Sequence, residues 1–332
     1  MIKLSLVIDG NYLLYLSVFS LNNDVNLYTD LPTLLKKSLN ILINKFHFEH
    51  IYFVSDSRQS WRKQFYKDYK GGRERDEKIN WNEIFKIYDK FKSELTKPNI
   101  TLHEINFLEG DDMVNYIVKK NNSLGISNLV ISSDKDLHQL LAFNLNLNYI
   151  NIITNFSHSD LKIYLPQNYN VFLNFVESNT NSSIFDLNDD NDFVDLMKDY
   201  IESSKIKEIS AEQSLFVKIV SGDIGDNIQS VCLLPMKTDP KKLRGIADAG
   251  AYKVYQLYKD TYKDEIDFNS DIFIDNLLYI IRYYKKIDQS NLSLIDDIKA
   301  KIKNNIYLIR LDVEYIPEEY KTKMYNEFEF IK

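Results

Sequence analysis

Acidic residues fall just past the carboxyl end of one apolar β run after another, and that placement leaves few folds open to the chain. Asp9 follows Ser5-Leu6-Val7-Ile8, and Asp56 follows Ile51-Tyr52-Phe53-Val54-Ser55. Glu109, Asp111 and Asp112 come after a third run, and Asp134 and Asp136 after Leu129-Val130-Ile131-Ser132-Ser133. The β runs expected at 3–8, 50–55, 101–106, 128–132 and 146–152 alternate with helical patterns such as 31–48 and 112–120. Strands separated by helices pair in parallel. In an open parallel sheet the carboxyl ends share one edge, where ligands bind. The expected fold class is therefore α/β with a mainly parallel sheet, and seven carboxylates should converge at that edge. Each acid alone has an ordinary explanation. Asp9-Gly10-Asn11 could be a turn, and Asp111-Asp112 and Ser133-Asp134 are good helix N-caps. Their recurrence at four strand ends is what those explanations leave out. So many carboxylates close together repel, and several must bind protons unless cations neutralise them. An all-oxygen donor set selects magnesium or manganese over zinc, and two such ions about 4 Å apart are the usual apparatus of phosphodiester hydrolysis.

The rest of the chain narrows the partner. Cys232 is the single cysteine among 332 residues, which excludes an internal disulfide and a cysteine-based zinc site. No apolar run approaches the ~20 residues of a membrane span, and the first residues already read as a strand, so a cytoplasmic protein without a membrane partner is expected. The net charge of −7 argues at first sight against nucleic acid. Its distribution argues the other way. Residues 58–73 hold Arg58, Arg62, Lys63, Lys67, Lys70 and Arg73 against the single acid Asp68. Trp61, Phe65, Tyr66 and Tyr69 are interleaved with them, as suits a surface that meets phosphates and unstacked bases. A merely solvated basic helix is the bland alternative. If the gathered acids are set aside, the remaining acids and bases nearly balance.

Residues 57–97 are too long and too basic for a plain crossover, and are expected to be an excursion of two helices broken at Gly71-Gly72. Residues 176–208 are polar and acidic, as in a surface insertion. The pattern turns helical from 211 onward, with helices expected at 211–220, 249–258, 271–284 and after Pro317. The expected division is thus an α/β core over 1–210, including the excursion and the insertion, and a helical region over 211–332. Asp223 and Asp226, in Gly222-Asp223-Ile224-Gly225-Asp226-Asn227, follow the first of those helices and could close the acidic site.

Taken in order, Val7-Ile8-Asp9-Gly10-Asn11, Val54-Ser55-Asp56, Glu109-Gly110-Asp111-Asp112, Ser132-Ser133-Asp134-Lys135-Asp136 and Gly222-Asp223-Ile224-Gly225-Asp226-Asn227-Ile228 resemble the five acidic motifs of the 5′ nuclease family, the flap endonucleases and 5′→3′ exonucleases. The resemblance covers roughly residues 3–230. Trp61-Arg62-Lys63-Gln64-Phe65-Tyr66 and Leu311-Asp312-Val313-Glu314-Tyr315-Ile316-Pro317 further resemble the ribonuclease H branch of T-even-type phages. The resemblance implies a PIN-like nuclease core with a basic helical arch and a C-terminal helical region that grips duplex. Asp9, Asp56, Glu109, Asp111 and Asp134 would surround a first magnesium ion, with Asp112 beside them. Asp136, Asp223 and Asp226 would serve a second ion, partly through water, and manganese could substitute. Lys70 and Arg73, in Tyr69-Lys70-Gly71-Gly72-Arg73, would contact the scissile phosphate, with Gly71-Gly72 letting the backbone turn close to it. Arg58, Arg62, Lys63, Lys67 and Tyr69 would meet nucleic acid. After Ile228 the sequence departs from the family's compact helix–hairpin element. The longer loop puts its bound monovalent cation in doubt, though Lys241, Lys242 and Arg244 still suit a duplex backbone.

The expected function is a free-standing 5′→3′ exonuclease and flap endonuclease that hydrolyses phosphodiesters near 5′ ends and removes RNA primers and 5′ flaps during replication. Its partners would be DNA and RNA–DNA hybrid duplexes, with a single-strand-binding or sliding-clamp protein as the candidate protein partner. The alternatives are a general PIN-like ribonuclease cutting single-stranded RNA and a non-catalytic nucleic-acid-binding relative. The basic stretch and the Asp223/Asp226 motif speak against the first, and the full set of acids against the second.

Overall fold

The structure, a computed structural model, describes residues 3–21, 26–44, 48–95, 100–156, 161–180, 205–236 and 238–328. The chain divides into two compact units. The first comprises Met1–Trp61, Arg75–Ala211 and Asp312–Lys332, and the second Arg62–Glu74 and Glu212–Leu311.

The first unit is built on β1 (Lys3–Asp9), whose residues Leu4 to Ile8 are buried on both faces, as befits a central strand of a parallel sheet. β2 (His50–Val54) and β4 (Ile126–Ile131) flank it in parallel, and β3 (Ile100–His103) lies parallel beyond β2. On the other side β6 (Tyr149–Phe156) continues in parallel from β4 and carries the two-residue β5 (Phe143–Asn144). β7 (Leu161–Pro166) then reverses direction, and β8 (Lys205–Ile209) runs parallel to β7. The order is β3-β2-β1-β4-β6-β7-β8, so chain progression reverses its direction across the sheet between β1 and β4. That is a topological switch point, where an open α/β sheet leaves a crevice beyond its carboxyl ends.

Helices α1 (Gly10–Ser20), α2 (Leu27–Asn44), α4 (Trp81–Ser93), α5 (Gly110–Ser123) and α6 (Tyr169–Thr180) belong to this unit. Leu13, Leu31, Leu35 and Ile84 from three of them share one buried cluster with Leu6, Ile8 and Phe53 of the sheet. Away from the carboxyl ends, amide side chains tie β4 to α5 and to β6. Asn121 Nδ2 donates to Asn128 Oδ1 at 2.7 Å, and Asn128 Nδ2 to Asn151 Oδ1 at 2.9 Å. A one-residue slip of β4 against β6 would part Asn128 from Asn151, so register, and with it the position of Asp134, is tightly specified.

Three features differ from the sequence reading. α11 (Glu318–Phe328) packs on the first unit instead of extending the helical region. The Phe328 ring lies 4.3 Å from that of His103 on β3, and Lys120 Nζ donates to the Phe328 carbonyl at 2.5 Å. The basic excursion is divided. α4 stays in the first unit, whereas residues 62–74, with the single-turn α3 (Arg62–Phe65), belong to the second. The sharp backbone turn is also not at the glycine pair. Lys70 has φ of 55°, and neither Gly71 nor Gly72 is left-handed. The polar insertion expected at 176–208 lies mostly outside the described residues, which there show only the end of α6 and the edge strand β8.

The second unit is helical. α7 (Ala211–Ser221), α8 (Asp248–Tyr262) and α9 (Asp271–Lys285) meet around Phe216, whose ring contacts Tyr255, Tyr258 and Phe273 at 5.2–6.0 Å. α10 (Leu292–Ile309) buries Ile298, Ile302, Ile306 and Ile309, a helical stripe whose 3.6-residue period was present in the sequence but was not read there as a helix. Between α7 and α8, the lengthened loop makes a small antiparallel pair of β9 (Leu234–Pro235) and β10 (Leu243–Arg244).

Candidate metal and phosphate site

Each acid of the first unit sits at the start of a helix or turn that leaves a strand. Asp9 ends β1 and caps α1, its Oδ1 accepting the Tyr12 amide at 2.9 Å. Its Oδ2 accepts the Ser132 hydroxyl at 2.8 Å, which ties the end of β1 to the residue after β4. Asp56 follows β2, and its Oδ1 accepts the Gly110 amide at 2.5 Å while Oδ2 accepts Asn11 Nδ2 at 2.6 Å. A Cβ at Gly110 would lie 2.9 Å from Asp56 Oδ1, so any larger residue there would displace that carboxylate. Asp134 caps the 3-10 turn Lys135–Leu140 through the Asp136 amide at 2.8 Å, and Ser132 Oγ accepts the Asp134 amide at 3.1 Å. Glu109, Asp111 and Asp112 open α5.

These bonds place Asp9, Asp56 and Asp134 beside one another, and the electrostatics record it. Burial of the Asp9 carboxyl, the nearby charge of Asp56 and that of Asp134 push its pKa up to about 7 against the pull of Tyr12 and Ser132. A carboxylate in that position favours a positive neighbour, and an oxygen-only donor set fits a hard divalent cation. Among the described residues, no group of three or more acidic, histidine or cysteine side chains is already gathered closely enough to hold a metal ion.

Asp112 departs from the expectation. It is 2% exposed, and its Oδ2 accepts the Trp61 indole at 2.8 Å and the Glu109 amide at 3.3 Å. It is committed to capping α5 and to anchoring Trp61. Trp61 is itself fully buried, so it is not the base-stacking ring that its neighbours suggested.

In the second unit, Asp223 and Asp226 lie in a loop closed by paired backbone hydrogen bonds between Asp223 and Ile228. Burial raises the Asp223 carboxyl, but the Lys218 ammonium at 2.5 Å and the Gly225 and Asp226 amides outweigh it and hold its pKa below the usual range. Asp226 is buried; Oδ2 accepts the Tyr69 hydroxyl at 2.9 Å, and Oδ1 pairs with the Arg73 guanidinium at 2.5 Å. The structure thus brings Tyr69, Lys70 and Arg73 together with the last acidic motif.

Two residues assigned to nucleic acid prove to be internal. Arg62 is 2% exposed and its Nε donates to the Leu308 carbonyl at 2.9 Å, so it pins α3 to α10. Tyr69 is 3% exposed. The other basic residues remain at the surface. Lys63, Lys67, Lys241, Lys242 and Arg244 are exposed, as is Arg58, which pairs with Asp89 at 3.3 Å. Three residues that sequence reasoning missed shape the acids: Ser132 on Asp9, Asn11 on Asp56 and Lys218 on Asp223. Asn11 and Ser132 lie within the acidic motifs and could have been found there; nothing local marks Lys218.

The family model for the 5′-3′ exonuclease N-terminal resolvase-like domain matches residues 4–169, half of the chain. The chain belongs to the 5′-3′ exonuclease family. Among curated relatives, a DNA polymerase I of Geobacillus stearothermophilus is 26% identical over 165 residues, covering 48% of this chain and 18% of that protein. A 5′-3′ exonuclease of Buchnera aphidicola is 27% identical over 150 residues, covering 43% of this chain and 50% of that protein. The matched segment spans half or less of each relative's own length. Among solved structures, phage T5 D15 protein crystallised with metal ions superposes with a TM-score of 0.57 at 17% identity, covering 99% of this chain and 100% of that one. The T5 D15 flap endonuclease in a pseudo-enzyme-product complex with DNA and metal ions gives 0.53 at 17% identity, with 98% of each chain covered. These two show the shared fold: a mostly parallel sheet of resolvase-like type followed by helices. Among the described residues, no helix is long and apolar enough to cross a membrane.

Proposed function

We propose that the protein is a divalent-metal-dependent nuclease that hydrolyses phosphodiesters at or near 5′ ends, acting as a 5′→3′ exonuclease and flap endonuclease. One observation supports this above the rest: Asp9, Asp56 and Asp134 converge on both sides of the switch point, where burial, and after it the charges of Asp56 and Asp134, raise Asp9 to about 7. Carboxylates placed so are held ready for cations. Bound there, magnesium or manganese would offset their charge, activate water and shield the phosphate.

The chain's own residues supply the remainder. Asp9, Asp56, Asp111 and Asp134 are proposed to hold the first ion, with Glu109 close by at the start of α5. By their resemblance to the family's motifs, Asp136, Asp223 and Asp226 are proposed to serve a second ion, partly through water. Ser132 and Asn11 orient the Asp9 and Asp56 carboxylates through one oxygen of each, as the outer partners of metal-binding carboxylates do. Lys70 and Arg73 are proposed to bind the scissile phosphate and to stabilise the charge that grows on it. Lys63, Lys67, Lys241, Lys242 and Arg244 offer exposed charge to the nucleic-acid backbone. RNA primers and 5′ flaps on duplex DNA are the proposed substrates.

The deciding experiment uses 5′-labelled flap DNA and an RNA–DNA hybrid with magnesium, with and without chelator. Cleavage that needs the metal and a free 5′ end supports the proposal. Cleavage of single-stranded RNA regardless of its 5′ end would replace it with the PIN-like ribonuclease reading.

A further inference from the structure

Residues 66–73 are stitched to residues 225–227 by contacts that all meet at or beside Asp226. Its carboxylate accepts the Tyr69 hydroxyl at 2.9 Å and a nitrogen of the Arg73 guanidinium at 2.5 Å. Its main-chain carbonyl accepts the Lys70 amide at 2.9 Å. On one side, the Gly225 carbonyl accepts Arg73 Nε at 3.2 Å. On the other, Asn227 Nδ2 donates to the Asp68 carbonyl at 3.0 Å, and the Asn227 carbonyl accepts the Tyr66 hydroxyl at 3.2 Å. Tyr69 touches both partners at once, since its hydroxyl reaches Asp226 while the Lys70 ammonium lies 5.1 Å from its ring centroid.

The backbone shows what these contacts maintain. Lys70 has φ of 55°, in the left-handed region that a residue with a side chain adopts only at a cost. Such a conformation persists only where its surroundings over-determine it. Here the Lys70 amide is held by the Asp226 carbonyl, and the residue before it is buried and tied to the same aspartate. A solvated basic segment would need none of this, because exposed lysines gain little from a fixed geometry.

We propose that Asp226 is a positioning residue, with Tyr69 as its buried latch, and that together they set Lys70 and Arg73 in place before nucleic acid arrives. The inference rests on the nuclease reading for what Lys70 and Arg73 do, but the latch itself stands on the geometry. An acid expected only to serve a metal thus also serves the two bases. Because a preorganised charge needs no rearrangement during reaction, the benefit falls on the chemical step more than on affinity. The exposed Lys63 and Lys67 would still hold the phosphate backbone if the latch were lost.

Tyr69→Phe tests this, since it keeps the buried ring beneath Lys70 and removes only the hydroxyl. Single-turnover cleavage of 5′-flap DNA with magnesium should slow by about tenfold at saturation. The half-saturating enzyme concentration should stay within about twofold, as expected when only transition-state contacts are lost. In the metal-free protein the Lys70 amide should exchange with solvent about tenfold faster, because its acceptor is no longer fixed. A Tyr69 that merely fills space would leave both the saturated rate per folded molecule and the Lys70 exchange as in the wild type, and that result overturns the inference. So does faster Lys70 exchange with an unchanged rate. If the wild-type protein cleaves no 5′-ended substrate, the nuclease reading falls, while the exchange comparison still decides whether the latch exists.

Discussion

Asp134 and Asp112 are both carboxylates at the start of a helical turn, yet their surroundings assign them opposite work. Asp134 keeps partial exposure and stands where its charge raises Asp9. Asp112 is internal and tied to Trp61 and the Glu109 amide. Asp134→Asn should therefore abolish flap cleavage with little change in unfolding midpoint; turnover above about a tenth of wild type, roughly 1.4 kcal/mol of barrier, would contradict its role. Asp112→Ala should do the reverse, costing about 1–3 kcal/mol in urea unfolding by stranding buried donors, while the folded fraction keeps substantial activity. Asp9 allows a test that needs no turnover. Magnesium should raise the melting temperature of the wild type, because an ion that binds only the folded state stabilises it, and should raise that of Asp9→Asn far less. The acids at strand ends were legible in sequence because position alone marks them. Whether a given acid faces ions or its own helix was not, since capping and metal binding favour the same residue at the same place.

Among the elements, α3 shows how a basic segment can be misjudged. Arg62 and Lys63 are neighbours on one helical turn, but Arg62 points inward to the Leu308 carbonyl while Lys63 is exposed. Arg62→Ala should accordingly destabilise the protein in denaturant unfolding by a few kcal/mol, through lost packing and an orphaned carbonyl. Lys63→Ala combined with Lys67→Ala should leave stability within about 0.5 kcal/mol. The same pair should weaken binding to flap DNA and flatten its dependence on salt. Equal effects on stability from both sets would show that α3 is not anchored as described. Five parallel strands were legible from their β runs, and α7, α8 and α9 from their periodicity. The reversal at β7 was not, because a six-residue strand carries no mark of its direction. The turn at Lys70 was likewise hidden, since Gly71-Gly72 beside it looked like the better candidate.

Across the molecule, His103 links pH to stability. Burial under α11 pulls its pKa down to about 4 from the ordinary 6.5, and the nearest carboxylate oxygen, on Glu327, stands at 3.6 Å. The folded state resists a proton that the unfolded state accepts, so this contribution is present above 6.5 and is lost as pH falls through 4. Stability should decline over that window by up to roughly 1.4 kcal/mol for each pH unit, and His103→Phe should flatten that part of the curve measured by urea unfolding. A curve unchanged by the substitution would assign the decline to other groups.

The return of the chain at α11 also bears on synthesis. β3 and the end of α5 are made early, but the helix that covers His103 and receives Lys120 is completed only at Phe328. At ribosomal rates of about 5–20 residues per second, some 225 residues separate them, or roughly 10–45 s. Through that interval the nascent α/β unit has an uncovered strand at its edge, the kind of surface on which chains stick to one another. Chaperone demand should therefore persist until α11 clears the exit tunnel.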